Sequence, residues 1–179
     1  MDSNDVNRRV RYALSLDDDD VIDLLRLSAF EGDTGNVQAW RLKEGADGYM
    51  PCPPEALQAM LAGLIIRLRG VRDDQPSTQL PAQSAQPVTQ SAQSAQSDKV
   101  ATVIDNNAVL KQIRIALSLK TDDVHALIVQ GGGKLGKSEV NALFRKPSAR
   151  NFRRCGDQVL RWFLAGLATQ RKGSSTDQV

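Results

Sequence analysis

A chain of 179 residues, 41% hydrophobic and 25% charged, has the balance of a soluble globular protein, and its apolar runs are shorter than the roughly 20 residues a membrane span requires. The start, Met1-Asp2-Ser3-Asn4-Asp5, lacks the basic region and apolar core of a secretory signal, so a cytoplasmic protein is expected. The formal net charge of +2 conceals an imbalance: residues 1–74 carry nine Lys/Arg against 14 Asp/Glu, whereas residues 105–179 carry 13 against six, so one half is acidic (−5) and the other basic (+7).

The imbalance lies over a duplication. Arg11-Tyr12-Ala13-Leu14-Ser15-Leu16 returns as Arg114-Ile115-Ala116-Leu117-Ser118-Leu119, and the same 103-residue shift aligns residues 4–70 with 107–173 without a gap. Of these 67 pairs, 22 are identical, including Cys52 with Cys155 and Leu61-Ala62-Gly63-Leu64 with Leu164-Ala165-Gly166-Leu167, which is too many for coincidence. The expected organisation is all-α. Two homologous four-helix modules, 4–72 (acidic) and 105–173 (basic), are joined by a flexible linker at 73–104 and followed by a disordered tail at 174–179.

The first helix of the first module is predicted from about Asp5 to Leu16, because Val6, Val10, Ala13 and Leu14 fall on one face. Val109, Ile113, Ala116 and Leu117 are the counterparts. The second helix opens in Asp17-Asp18-Asp19-Asp20 or Thr121-Asp122-Asp123, where side-chain oxygens cap free N–H groups and negative charge meets the positive dipole end. Val21, Leu24, Leu25 and Ser28 mark its inner face, matched by Val124, Leu127 and Ile128. After a glycine-containing connection, a third short helix is expected at Asn36–Lys43 and Ser138–Lys146. The fourth begins at Pro53-Pro54-Glu55 or Gly156-Asp157-Gln158. Its stripe is Leu57, Met60, Leu61, Leu64, Ile65 and Leu68, and Gly70 or Gly173 is placed to end it in a left-handed conformation. Between the modules, the Gln-, Ser-, Ala- and Pro-rich stretch from Gln75 to Ser97 has too little apolar surface to order itself.

Gly131-Gly132-Gly133-Lys134-Leu135-Gly136-Lys137-Ser138 satisfies G-x-x-x-x-G-K-[ST], the phosphate-cradling loop of nucleotide-binding domains. That loop must follow a strand in a parallel sheet and be served by a further acidic residue for magnesium. The aligned Ser28–Asn36 has no such pattern, so a helix connector is the better reading and a P-loop nucleotide binder the remote alternative. His125 aligns with Ile22, and neither cysteine has a histidine at a matching position. No CxxC or HExxH zinc spacing occurs. A non-enzymatic protein without cofactor or metal is expected, with Cys52 and Cys155 as small buried side chains at a helix entrance.

Leu143 to Leu167, the two Ala-Leu-Ser-Leu segments and the paired Ala-Gly-Leu elements resemble the YehS-like bacterial family, catalogued as domain of unknown function 1456, which carries two tandem copies of its domain. The resemblance implies a small bacterial cytoplasmic protein and transfers no catalytic residue. The helix order is also similar to repressor-type helix-turn-helix domains, in which the third helix enters the major groove. The connection from Phe30 to Gly35 is longer than the usual turn. On that likeness Ser138–Lys146 would be the reading helix, with Asn141 and Arg145 toward base edges and Lys134, Lys137, Lys146, Arg150, Arg153 and Arg154 on phosphates. The sequence therefore predicts a tandem helical binding module, with nucleic acid as a partner of the second module. The alternative is a protein-protein adaptor or self-assembling module in which the opposite charges of the two modules attract.

Overall fold

The computed structural model describes residues 1–70 and 105–174. The expected linker and tail, 73–104 and 174–179, fall outside them except for Ser174. The described residues form eight α-helices and no strand: α1 (Ser3–Leu14), α2 (Asp18–Leu27), α3 (Thr34–Arg41) and α4 (Pro54–Arg69) in the first copy, then α5 (Asn106–Ala116), α6 (Thr121–Gln130), α7 (Lys137–Ala142) and α8 (Asp157–Ser174) in the second. None of these helices is long and apolar enough to cross a membrane.

The helix ends explain the repeated Arg-x-Ala-Leu-Ser-Leu. Ser15 and Ser118 take φ of 54° and 55°, a left-handed turn, and the next residue reaches back: Leu16 N donates to Arg11 O and Leu119 N to Arg114 O, each at 2.9 Å. This six-residue closure satisfies a helix-end carbonyl. It stops α1 at Leu14, two residues before the expected Leu16. The four aspartates then start α2 as expected, Asp17 Oδ1 accepting from Asp20 N at 2.8 Å while Asp20 Oδ2 accepts from Asp17 N at 3.3 Å.

α3 and α7 are displaced from their expected positions, and α7 is shorter, ending at Ala142 instead of Lys146. The backbone acceptors that would extend α7 are already engaged. Arg153 N donates to Ala142 O at 3.2 Å, and Asn107 Nδ2 donates to Leu143 O at 2.7 Å. At the far end, Gly70 closes α4 with a φ of 78°, but Gly173 lies within α8 and caps nothing. Leu68, assigned to the inner stripe of α4, is 50% exposed because it falls on the last turn of the helix, beyond the core.

The two copies are not separate bodies. In each copy the second helix packs on the fourth, α2 on α4 and α6 on α8, whereas the first and fourth helices of one copy scarcely touch. They pack across the duplication instead, α1 along α8 and α4 along α5. Buried residues of both copies, from Val6 to Ala168, consequently form one continuous core. Two modules near the small end of the independently stable range gain depth by sharing it. Polar contacts fasten the seam: Arg161 lies 3.6 Å from Asp5, the Met1 amino group pairs with Asp157, and Arg69 Nη1 donates to Ile115 O at 3.0 Å.

The paired glycines set how closely helices approach. A Cβ on Gly63 would lie 1.9 Å from Leu24 O, and one on Gly166 1.9 Å from Leu127 O. The repeated Ala-Gly-Leu is thus the point where the fourth helix touches the backbone of the second in each copy.

Candidate functional site

α7 and the loop after it carry the basic residues singled out from the sequence. Gly136 precedes α7, and its N–H donates to Glu139 Oε2 at 2.9 Å. Arg153 pairs with the other oxygen of the same carboxylate, tying the returning loop to the helix start. Gly136 N–H first, and then Arg153, hold the Glu139 carboxyl below its ordinary value. Lys137 Nζ lies 2.9 Å from Asp122 Oδ1, joining α7 to the start of α6, and this lysine lowers the Asp122 carboxyl in turn.

The eight predicted residues, Lys134, Lys137, Asn141, Arg145, Lys146, Arg150, Arg153 and Arg154, are all exposed. Lys137 and Arg153 are neutralised by the ion pairs just described. Lys134, Arg145, Lys146, Arg150 and Arg154 form no ion pair among the described residues. Asn141 is on α7, but Arg145 and Lys146 follow its end, so the expected reading helix does not present them together.

The glycine-lysine motif has no phosphate cradle. Val124 to Val129, the stretch that would have to be a strand, belongs to α6. The amides of its three leading glycines are already engaged: Gly131 N to Leu127 O at 2.9 Å, Gly132 N to Val129 O at 2.9 Å and Gly133 N to Ile128 O at 2.8 Å. A Cβ on Gly131 would sit 1.9 Å from Trp162 O, and Gly132 has a φ of 94°. The glycines therefore serve the close passage of the connector over α8 and a left-handed helix end. The nucleotide-loop alternative is corrected to a helix connector.

A pair of asparagines escaped the sequence reading. Asn4 is buried, donates through Nδ2 to Trp40 O and Met50 O, both at 2.9 Å, and accepts from Cys52 N at 2.8 Å. Asn107 repeats this on Leu143 O (2.7 Å), Arg153 O (3.0 Å) and Cys155 N (2.8 Å). Each side chain fixes the end of the third helix, the loop and the entrance of the fourth helix at once. The signal was an identical polar residue opening the ungapped alignment, beside the apolar face of the first helix. The cysteines next to these bonds are buried, and burial pushes the Cys52 thiol up to about 11 and the Cys155 thiol to about 12, which leaves both protonated and unreactive at neutral pH.

Comparison with known proteins covers both copies. The model of a family described as "Protein of unknown function (DUF1456)" matches residues 3–70 and again 106–173. The chain is 36% identical over 169 residues to the uncharacterized protein YehS of Escherichia coli (strain K12), covering 94% of this chain and 96% of that protein. No solved structure matches. With the family model matched in each half, on the two stretches that pack into one core, the chain belongs to the DUF1456, YehS-like family as a tandem pair of its domain.

Proposed function

We propose that this chain is a non-enzymatic, cytoplasmic binding protein that engages nucleic acid through the basic face of its second copy. The observation carrying this reading is the group of five exposed cations without carboxylate partners, Lys134, Arg145, Lys146, Arg150 and Arg154, around α7 and its following loop. Their first-copy counterparts are Glu31, Leu42, Lys43, Asp47 and Pro51, so the same backbone presents little positive charge there. A six-residue α7 offers one side chain, Asn141, of the two expected to read bases. The mode is therefore backbone contact, with affinity from phosphates and little sequence discrimination.

The test is fluorescence anisotropy with labelled duplex DNA and single-stranded RNA across a salt series. Five phosphate contacts correspond to a slope of log K on log salt of about −4.5 for duplex DNA. An Arg145/Arg150/Arg154→Ala variant should bind more weakly and lower the magnitude of that slope by about 3. Absence of binding at about 50 mM salt, or binding unchanged in the variant, rejects the reading.

A second reading, self-association, draws on the seam between copies. The α1–α8 and α4–α5 pairings join segments on opposite sides of residues 71–104, so the same contacts can form between two chains. Sedimentation velocity separates the readings: a dimer that persists without nucleic acid supports exchange, and because the seam is mainly apolar it should resist salt.

A further inference from the structure

The repeated Arg-x-Ala-Leu-Ser-Leu lines an equivalent cleft in each copy, but the two clefts differ in charge. In the first copy Arg8, Arg11, Tyr12, Ser15, Leu16, Asp17 and Arg41 surround a cavity of about 440 Å³. Its cations are spoken for. Arg11, only 5% exposed, pairs with Asp18; Arg41 lies 3.7 Å from the same carboxylate; Arg8 donates to Leu42 O at 2.8 Å. Asp17 places a carboxylate in that cleft, and Asp18 beside it occupies two of the lining arginines.

The second cleft, of about 330 Å³, is formed by Lys111, Arg114 and Ser118 of α5 and its turn, Arg69 from α4 of the first copy, and Phe144 following α7. Asp17 aligns with Lys120, Asp18 with Thr121 and Arg41 with Phe144, so both carboxylates are missing and a ring face replaces one guanidinium. The Arg114 guanidinium stacks 4.4 Å from the Phe144 centroid and uses only Nε, toward Leu119 O at 3.1 Å. Its two terminal nitrogens make no hydrogen bond among the described residues, and Lys111 makes no ion pair there. Arg69 spends Nη1 on Ile115 O and meets no carboxylate among the described residues.

We propose that this second cleft is a binding site for a phosphomonoester group. Three cations line one cavity that has no carboxylate among the described residues, which suits a ligand carrying close to two negative charges. The ring and the Leu119 carbonyl hold Arg114 through its face and Nε, which leaves its terminal N–H groups available for two parallel bonds to an oxyanion. The first copy shows what the position does when an anion is supplied internally. Because Arg69 comes from the other copy, the site is complete only when α4 and α5 are packed. The cleft uses none of the cations assigned to nucleic-acid binding above, so the two proposals fail separately.

The test is amide and arginine Nε–H NMR on the full chain, titrated with inorganic phosphate, a 5′-phosphorylated trinucleotide and the same trinucleotide without that phosphate. Inorganic phosphate and the phosphorylated trinucleotide should shift the Arg114 Nε–H and the Ser118 and Leu119 amides. The unphosphorylated trinucleotide should not. Lys111→Gln/Arg114→Gln should weaken phosphate binding at the cleft at least tenfold, and Arg150→Ala/Arg154→Ala should leave the affinity read at the Arg114 Nε–H unchanged. The decisive variant is Thr121→Asp, which supplies the carboxylate of the first copy at a helix start where aspartate is favoured, so folding is preserved while the site is filled. Phosphate binding that survives Thr121→Asp overturns the proposal, as does a lack of shifts with phosphate. Equal binding of the unphosphorylated trinucleotide would assign the cleft to phosphodiester contacts instead and likewise reject it.

Discussion

The two copies share a backbone and differ in how they settle their charges. In the first, Arg11 is buried against Asp18, Arg41 joins the same carboxylate, and Arg67 pairs with Asp20 across α2 and α4. In the second, Arg114 is half-buried on a phenylalanine ring, and the loop after α7 carries arginines with no partner among the described residues. What stays constant is the set of groups that satisfy backbone: Asn4 and Asn107, Ser15 and Ser118, Gly63 and Gly166. An unmet backbone group in the core is costly in every setting, whereas surface charge is worth little to stability and is free to vary. The divergence therefore marks where to look for function, and the constancy marks what holds the fold.

The largest effect should come from breaking what the copies share at their closest approach. Gly63→Ala and Gly166→Ala each force a methyl group into a backbone carbonyl, and each should lower unfolding stability by about 3 kcal/mol or more in urea titrations. Because the core is continuous, either substitution should shift a single unfolding transition. Two resolved transitions would mean that the copies unfold separately, contrary to the shared packing of α1 with α8 and α4 with α5.

Asn4→Ala and Asn107→Ala come next, by about 2–3 kcal/mol each, since each strands two buried or part-buried carbonyls and the amide of the following cysteine. Similar losses at the two sites would confirm equivalent clamps. A loss at one site alone would show that the copies have divergent loops.

The smallest change sharpens the contrast. Asp18→Thr, which gives the first copy the residue of the second, leaves Arg11 buried without its carboxylate and should cost about 2 kcal/mol, less than the fully buried limit because Asp18 is 21% exposed. The reverse substitution, Thr121→Asp, should be within about 0.5 kcal/mol of neutral or slightly stabilising at a helix N-terminus. Equal costs in both directions would remove the distinction between a filled and an open cleft. Thermal melts at neutral pH check the pair.

Much of the fold is legible in the sequence. Ungapped identity over the whole module demanded one fold twice, and apolar spacing placed Val6, Val10, Leu24, Leu61 and their counterparts inside, where they lie. The aspartate run announced a helix start because capping is local chemistry. The third helices were misjudged because their ends are set by Asn4 and Asn107, whose partners are about 40 residues away, so no local pattern reveals them. Of the candidate site, exposure and charge could be read directly. The neutralisation of Lys137 by Asp122 and of Arg153 by Glu139 could not, since each pair joins different elements.

Sequence alone determined that the chain is a helical duplication with an acidic and a basic copy, because periodicity, capping and charge are properties of neighbouring residues. Only the tertiary structure decided what covers the apolar faces. An apolar stripe specifies that it must be buried without naming the surface that buries it, and here α1 and α4 are covered by α8 and α5 of the other copy. That choice converts two marginal modules into one core and brings Arg69 of the first copy to the cleft that the repeated motif builds in the second.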